Sequence, residues 1–345
     1  MNFVKILLLF CSFLFAAEVT SPQGKPRNLS ETDFFRHPST GKNFNETWSY
    51  QFVFDNGTRA YVNIAALSIP GSGPKIGCDL SFWNLKGKSH SVGRQYPPER
   101  MKEDRAGKRI SIKDEYILEN IPGKGHRVYF TADKGGKFFL DISFESAVQG
   151  KVAGDGVWKV DGEQYAQYIH IPYGRVHGKI AYNSDTITVS GYGYFEHTWQ
   201  SAQASDIAVR SFSINTSSTA KVPQYAGRIG VTENGTPFGY VLYSANGYAS
   251  GMELFTAQKI SENGAAYSGK KFPTGSLRLD WNESGAFVEF DTSKPLERFS
   301  LLNNFDGWFA KKAASLMMGG EVFFYRGRSQ GNHQETVDWN FSGLK

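Results

Sequence analysis

The sequence predicts an all-β protein of antiparallel strands, arranged as two barrel or sandwich domains with one helix late in the chain. Three observations carry this expectation. Turn pairs such as Asn56-Gly57, Gly135-Gly136, Asn234-Gly235 and Asn246-Gly247 recur at short intervals. The segments between them alternate apolar and polar residues. A strand–turn–strand unit around Asn56-Gly57-Thr58 returns about half a chain later around Asn234-Gly235-Thr236.

The elements follow in order. Met1–Lys5 carries one positive charge, Ile6–Phe15 is almost wholly apolar, and Ala16-Ala17 are small. That is the layout of a secretory signal peptide over 1–17, too short for the ~20 residues of a membrane span. The expected location is therefore secreted or periplasmic, with no stable membrane span. Residues 18–44 read as an N-terminal extension, 45–205 as the first β domain and 206–345 as the second. Gln51–Asp55 and Ala60–Ile64 form the first hairpin. Lys137–Glu145 alternates cleanly, with Phe138, Leu140, Ile142 and Phe144 on one side and Asp141, Ser143 and Glu145 on the other. Arg228–Thr232 and Phe238–Leu242 form the second hairpin. Ser276–Trp281 alternates on Leu277, Leu279 and Trp281. The spacing of Phe305, Trp308, Phe309, Lys312, Ala313 and Leu316 predicts a helix over Leu301–Met318, ended by Gly319-Gly320, before a strand at Glu321–Arg326.

Composition narrows the function. The 27 Phe, 17 Tyr and 7 Trp are incompatible with disorder. The net charge of +5 is spread among interleaved acids and bases, as in Glu99–Arg105, so no basic stripe marks a nucleic-acid partner. After signal cleavage Cys78 stands alone, and the domain must be held by its core. The Asn-x-Ser/Thr acceptors between Asn28 and Asn340 fit either a secreted eukaryotic protein or simply many Asn-containing turns. The single cysteine tilts the balance towards a bacterial periplasm. No His-Glu-x-x-His, Cys-x-x-Cys, phosphate-binding loop or Gly-x-Ser-x-Gly elbow is present. No metal and no cofactor are expected.

One segment stands out, Thr186–Gln200, which contains Gly191-Tyr192-Gly193-Tyr194-Phe195-Glu196-His197-Thr198-Trp199. A regular pleat puts Phe195, His197 and Trp199 on one face and Tyr194 and Glu196 on the other. Glycines inside a strand mark close backbone approach or a bulge, and only a bulge would bring Glu196 and His197 into one pocket. Two readings are open: a buried hydrogen-bond network locking two domains, or a ligand site. Tyr168 and His170 share a strand face and are positioned to line the first domain's cavity, with Trp48 nearby. For His170 and Trp48 the plainer reading is structural.

This segment resembles the Gly-x-Gly-Tyr-x-Asp-His-x-Trp-Gly signature of the AttH/CrtC-like lipocalin-type family. That family includes carotenoid hydratases, fungal Diels–Alderases and yeast survival-factor lipid carriers. Glu46-Thr47-Trp48-Ser49-Tyr50 looks like its N-terminal Glu-Trp-Trp-Tyr strand. Ile171–Ile180 looks like the Pro-x-x-x-Val-x-Gly-x-Ile stretch before the signature. Glu196 stands where the family has Asp, and Gln200 where it has Gly. The resemblance implies two lipocalin-like domains around a pocket for a hydrophobic small molecule. It implies an acid at Glu196 beside His197, with Tyr194, Trp199, Tyr168, His170 and Trp48 as ligand contacts. Two functions follow: an exported carrier of a lipid or terpenoid, or a cofactor-independent hydratase, cyclase or isomerase in which buried Glu196 protonates a polyene and aromatic faces stabilise the cation.

Overall fold

A computed structural model describes residues 18–38, 43–69, 73–121, 125–217, 223–247, 251–256, 259–263, 275–280, 287–300 and 320–344, together with Leu302, Trp308, Lys311, Lys312 and Ser315. The first seventeen residues, Trp281 and most of the helix expected over Leu301–Met318 lie outside the described residues.

Antiparallel sheets make up the protein. The largest, of 13 strands, runs in the order Lys88–Tyr96, Gly73–Leu85, Arg59–Ile69, Asn45–Phe54, Asp185–Gln200, Glu163–Tyr182, Lys137–Ala147, Gly125–Asp133, Tyr116–Ile121, Arg109–Ile112 and Met101–Asp104. Val157–Val160 joins beside Glu163–Tyr182, and Val19–Thr20 pairs with it in turn. The two edge strands, Lys88–Tyr96 and Met101–Asp104, are neighbours in sequence, so the sheet must curl to bring its edges together. It does not close. Pro97 and the short 3-10 turn Pro98–Arg100 lie between the edges, and a proline cannot donate to a ladder. The barrel expected from sequence is therefore corrected to a curled, open sheet.

The alternation read from sequence holds where it was clearest. Phe138, Leu140, Ile142 and Phe144 are all buried, in a core shared with Phe52, Phe82 and Phe130. Large aromatics fill the concave side of this sheet. Leu277 and Leu279 are buried in a second core.

A four-residue α-helix, Ala204–Ile207, leads into a seven-stranded sheet. Its order is Glu253–Thr256, Pro237–Ser244, Gln224–Val231, Arg210–Thr216, Thr336–Leu344, Val322–Gln330 and Glu297–Ser300. A three-stranded sheet, Lys259–Asn263, Ser276–Asp280 and Phe287–Asp291, accompanies it. The two Asn-Gly-Thr hairpins share one bonding pattern. Phe54 N–H donates to Thr58 O and Gly57 N–H to Phe54 O. Likewise Thr232 N–H donates to Thr236 O and Gly235 N–H to Thr232 O.

Polar contacts join the large sheet to the seven-stranded one. The Tyr240 hydroxyl accepts from Ile169 N–H at 2.9 Å and donates to Lys151 O at 2.7 Å. Arg59 and Asp338 form a buried ion pair at 2.8 Å. A leading segment packs over one end of the large sheet. There Arg27–Asn28 pairs with Lys151–Val152, and Glu31–Phe34 forms a 3-10 turn held by Ser30 and Asp33.

Candidate functional site

The strand Asp185–Gln200 sits at the middle of the large sheet because two glycines let its neighbours approach. A Cβ on Gly191 would stand 2.2 Å from the Val53 carbonyl oxygen, and one on Gly193 would stand 2.6 Å from the Phe144 ring. The register against Asn45–Phe54 is unbroken from Gly191 to Gln200. Irregularities fall on the other side, between Ile169 and Ile171 and between Ile171 and Gly174. The signature strand thus keeps its pleat through Glu196 and His197. Both are buried and point to opposite faces, as a regular pleat requires, and the bulge that would have brought them into one pocket is not there.

On one face, Glu196 is committed to an ion pair. Its Oε1 accepts from Nε of Arg228 at 2.9 Å, and its Oε2 accepts from the Tyr194 hydroxyl at 2.9 Å. Arg228 belongs to the strand Gln224–Val231 of the smaller sheet, so this contact crosses between sheets. Burial alone would lower the Arg228 pKa; the Glu196 charge outweighs it and holds the guanidinium protonated. Burial and the Glu196 charge push the Tyr194 phenol well up. Carboxylate, guanidinium and phenol together join the large sheet to the smaller one. His197 lies on the opposite face of the strand from this group.

The other face gathers His197, Trp48, Tyr168, His170 and Trp199, and adds residues that sequence reasoning missed. His197 stacks on Trp48 with ring centroids 4.6 Å apart. Its Nδ1 lies 2.8 Å from the Asp33 carbonyl and its Nε2 lies 2.9 Å from Oε1 of Glu46. That same oxygen accepts from the backbone N–H of His37 at 2.8 Å and stands 3.1 Å from His37 Nδ1. His197 and Glu46 have no solvent exposure, whereas the His37 side chain keeps 24%. Burial would raise the Glu46 pKa, but hydrogen bonds from His197 and His37 outweigh it and hold the carboxyl below its ordinary value. The second oxygen, Oε2, accepts no hydrogen bond among the described residues, and Nε of Arg36 is 3.9 Å away.

An aromatic wall surrounds this centre. His37 stacks against Tyr168 at 5.5 Å and lies 5.1 Å from Trp199. Its Nε2 is 3.4 Å from the Tyr168 hydroxyl. His170 lies 6.0 Å from His197, and burial holds its imidazole well below the ordinary histidine value. Phe34 packs edge-on against His126, His170 and Phe195, and its carbonyl accepts from Trp48 Nε1 at 2.8 Å. A surface crevice of about 30 Å³ reaches Arg36 and Phe44, beside Glu46 and Trp199. His37, Glu46 and His197 are the three side chains here that are able to hold a metal ion, their ligand atoms lying within 4.8 Å of one another.

The signals for the missed residues were uneven. Glu46 lies two positions before Trp48 on one strand, so period-two spacing already put it on that face. His37 sits in a segment with no periodicity, and nothing local marks it. Arg228 lies on the second hairpin with no sequence sign of its partner.

These features define a class: an all-β protein with a large aromatic-filled sheet locked to a smaller one, and a buried Glu–His–His centre beneath an N-terminal strap. No family model matches the chain, and no curated protein matches it. Solved structures share the fold. A protein designated AttH from Nitrosomonas europaea superposes with a TM-score of 0.61 at 14% identity, over 94% of this chain and 99% of that one. CghA superposes with a TM-score of 0.50 at 9% identity, over 88% of each chain. Kievitone hydratase from Nectria haematococca gives 0.50 at 9% identity, over 88% of this chain and 89% of that one. At these identities the likeness is one of fold. No helix among the described residues is long and apolar enough to cross a membrane.

Proposed function

We propose that the protein is a hydratase-type enzyme acting on a hydrophobic, unsaturated small molecule, with Glu46, His37 and His197 as its acid–base centre. The observation that carries this is the position of Glu46 Oε1 between the two imidazoles, 2.9 Å from His197 and 3.1 Å from His37, inside an aromatic enclosure. The fold shared with kievitone hydratase supports the reaction class.

Each residue has a role in this reading. Glu46 orients His37 through Nδ1, as a carboxylate orients the base of a catalytic triad. His37 Nε2, the nitrogen turned away from Glu46 and 3.4 Å from the Tyr168 hydroxyl, then donates its proton to one carbon of the alkene. Positive charge develops on the other carbon, where the aromatic rings that flank His37, Tyr168 and Trp199, would stabilise it. A water molecule adds there and returns a proton to His37, so the net change is the addition of one water across one double bond. His197, fixed by the Asp33 carbonyl and Trp48, holds Glu46 in place. His170, Trp48 and Phe34 supply apolar walls. Glu196 is left to stability.

Export through the 1–17 segment and the division into units at 45–205 and 206–345 are part of this proposal. The extension 18–44 gains a purpose in it, since it delivers His37. Retention of a hydrophobe without turnover would instead identify the carrier function.

The test is to incubate the protein in ¹⁸O-water with a panel of polyenes and terpenoids. A product heavier by one labelled water supports the reading. Binding with no labelled product assigns a carrier.

A further inference from the structure

We propose that His37, Glu46 and His197 form a binding site for a divalent transition cation, with Zn²⁺ as the representative ion. Two imidazole nitrogens and a carboxylate oxygen are the donor set of Zn²⁺ and Fe²⁺ sites, whereas Ca²⁺ and Mg²⁺ take oxygen ligands. The three atoms are His37 Nδ1, Glu46 Oε1 and His197 Nε2. Ligands ~2.1 Å from a common ion stand ~3 to 3.4 Å apart at octahedral or tetrahedral angles. The observed separations from Oε1 are 2.9 and 3.1 Å. An ion therefore enters with a small outward movement of the His37 ring, which lies at the rim.

The surroundings fit the same occupant. The Asp33 carbonyl can only accept, so His197 Nδ1 carries the hydrogen it shares at 2.8 Å. Its Nε2 hydrogen is shared with Glu46 Oε1 at 2.9 Å, and a bound ion would replace that hydrogen while Nδ1 stays on the carbonyl. Metal-binding histidines use this arrangement, in which a backbone carbonyl fixes the ring from behind. His37 has a partner for its far nitrogen in the Tyr168 hydroxyl. Oε2 of Glu46, which accepts no hydrogen bond among the described residues, is free to become a second ligand. Arg36, 3.9 Å from Oε2, is the competing cation, and its side chain is 32% exposed and has room to turn outward.

This goes beyond the proposed reaction and does not depend on it. An ion at this point takes the place of the hydrogen that His37 Nδ1 shares with Glu46 Oε1, so the metal-bound protein should lose the carboxylate–imidazole coupling that the proposed reaction uses. Both properties are measurable separately on the same preparation.

The experiment uses tag-free full chain, stripped with chelator and dialysed, then titrated with Zn²⁺ against a chromophoric competitor. One equivalent should bind. His37→Ala, at the rim, should lower the affinity by at least ~100-fold while keeping the wild-type circular dichroism. Zinc-edge X-ray absorption of the loaded wild type should read two imidazole ligands, which requires no variant. Wild-type binding no tighter than that of His37→Ala overturns the inference, as does a zinc spectrum without imidazole. Hydration activity in a protein that takes no zinc removes this inference and leaves the reaction standing. Zinc binding in a protein without turnover does the reverse.

Discussion

Glu196 and Arg228 meet across the two sheets, the carboxylate fully buried and 2.9 Å from the guanidinium Nε. Removing the guanidinium leaves the buried Glu196 charge uncompensated, at a cost of up to roughly 3 to 5 kcal/mol, whereas Arg228, 27% exposed, keeps some contact with water when Glu196 is removed, which costs less. Arg228→Met should lower stability towards that range in denaturant titrations, and Glu196→Gln by less. The double variant Glu196→Leu/Arg228→Met should recover much of the loss. Single variants within ~1 kcal/mol of wild type would show that the pair does not lock the sheets.

The two glycines of the signature strand should not behave alike. A methyl at Gly191 meets backbone, the Val53 carbonyl at 2.2 Å, while one at Gly193 meets a phenyl edge that can swing away. Overpacking costs about 1 to 3 kcal/mol, and Gly191→Ala should reach the top of that range or pass it. Gly193→Ala should cost less. Thermal melts of the two variants decide the order, and the reverse order would show that the strands part more easily than the packing implies.

Stability should fall on acidification through the histidine range. Burial lowers the His126 pKa to about 3, while its Nε2 lies 2.7 Å from the Tyr50 hydroxyl. The unfolded chain takes up that proton near pH 6.5, so it binds more protons than the fold between about 6.5 and 3. Stability is complete above this window and is lost as pH drops through it, by about 3 kcal/mol at pH 4 from this group. His170, also depressed by burial, acts in the same direction. Urea titrations from pH 7 to pH 4 should show a slope that His126→Gln reduces by about one proton. Parallel profiles for the two proteins would exclude His126 as the source.

How much of this was legible in the sequence depended on distance along the chain. The alternation of Phe138–Phe144 and the Asn-Gly-Thr turns are local, and the structure keeps them. Barrel closure is a property of edges that meet only in three dimensions, and Pro97 with Pro98 keeps those edges unpaired. The pleat of the signature strand placed Glu196 and His197 on opposite faces, and the unbroken register to Asn45–Phe54 enforces it. The strand carried two readings, a lock between domains and a ligand site. Glu196 on one face meets Arg228 of the smaller sheet, and His197 on the other belongs to the centre proposed for the second. What no spacing could show was that His37, Glu46 and His197 converge. The first lies on an aperiodic strap, and the other two become neighbours only because Asn45–Phe54 pairs with Asp185–Gln200.

The strap is held partly by one hydrogen bond from Trp48 Nε1 to the Phe34 carbonyl, at 2.8 Å. Trp48→Phe keeps most of the stacking on His197 and removes that donor, at a cost of about 1 kcal/mol. Hydrogen exchange at the His37 amide should quicken accordingly, because its bond to Glu46 depends on the strap staying down. Unchanged exchange at His37 would mean that other contacts suffice.

The central claim is that the open-side imidazole of His37 moves the proton. The decisive measurement is kcat of His37→Ala relative to wild type, on the substrate returned by the ¹⁸O-water screen. The account predicts a fall of about 10²- to 10⁴-fold, the scale of general acid–base catalysis, with a melting temperature close to that of wild type because His37 lies at the rim. Wild-type turnover in a folded His37→Ala protein would contradict it.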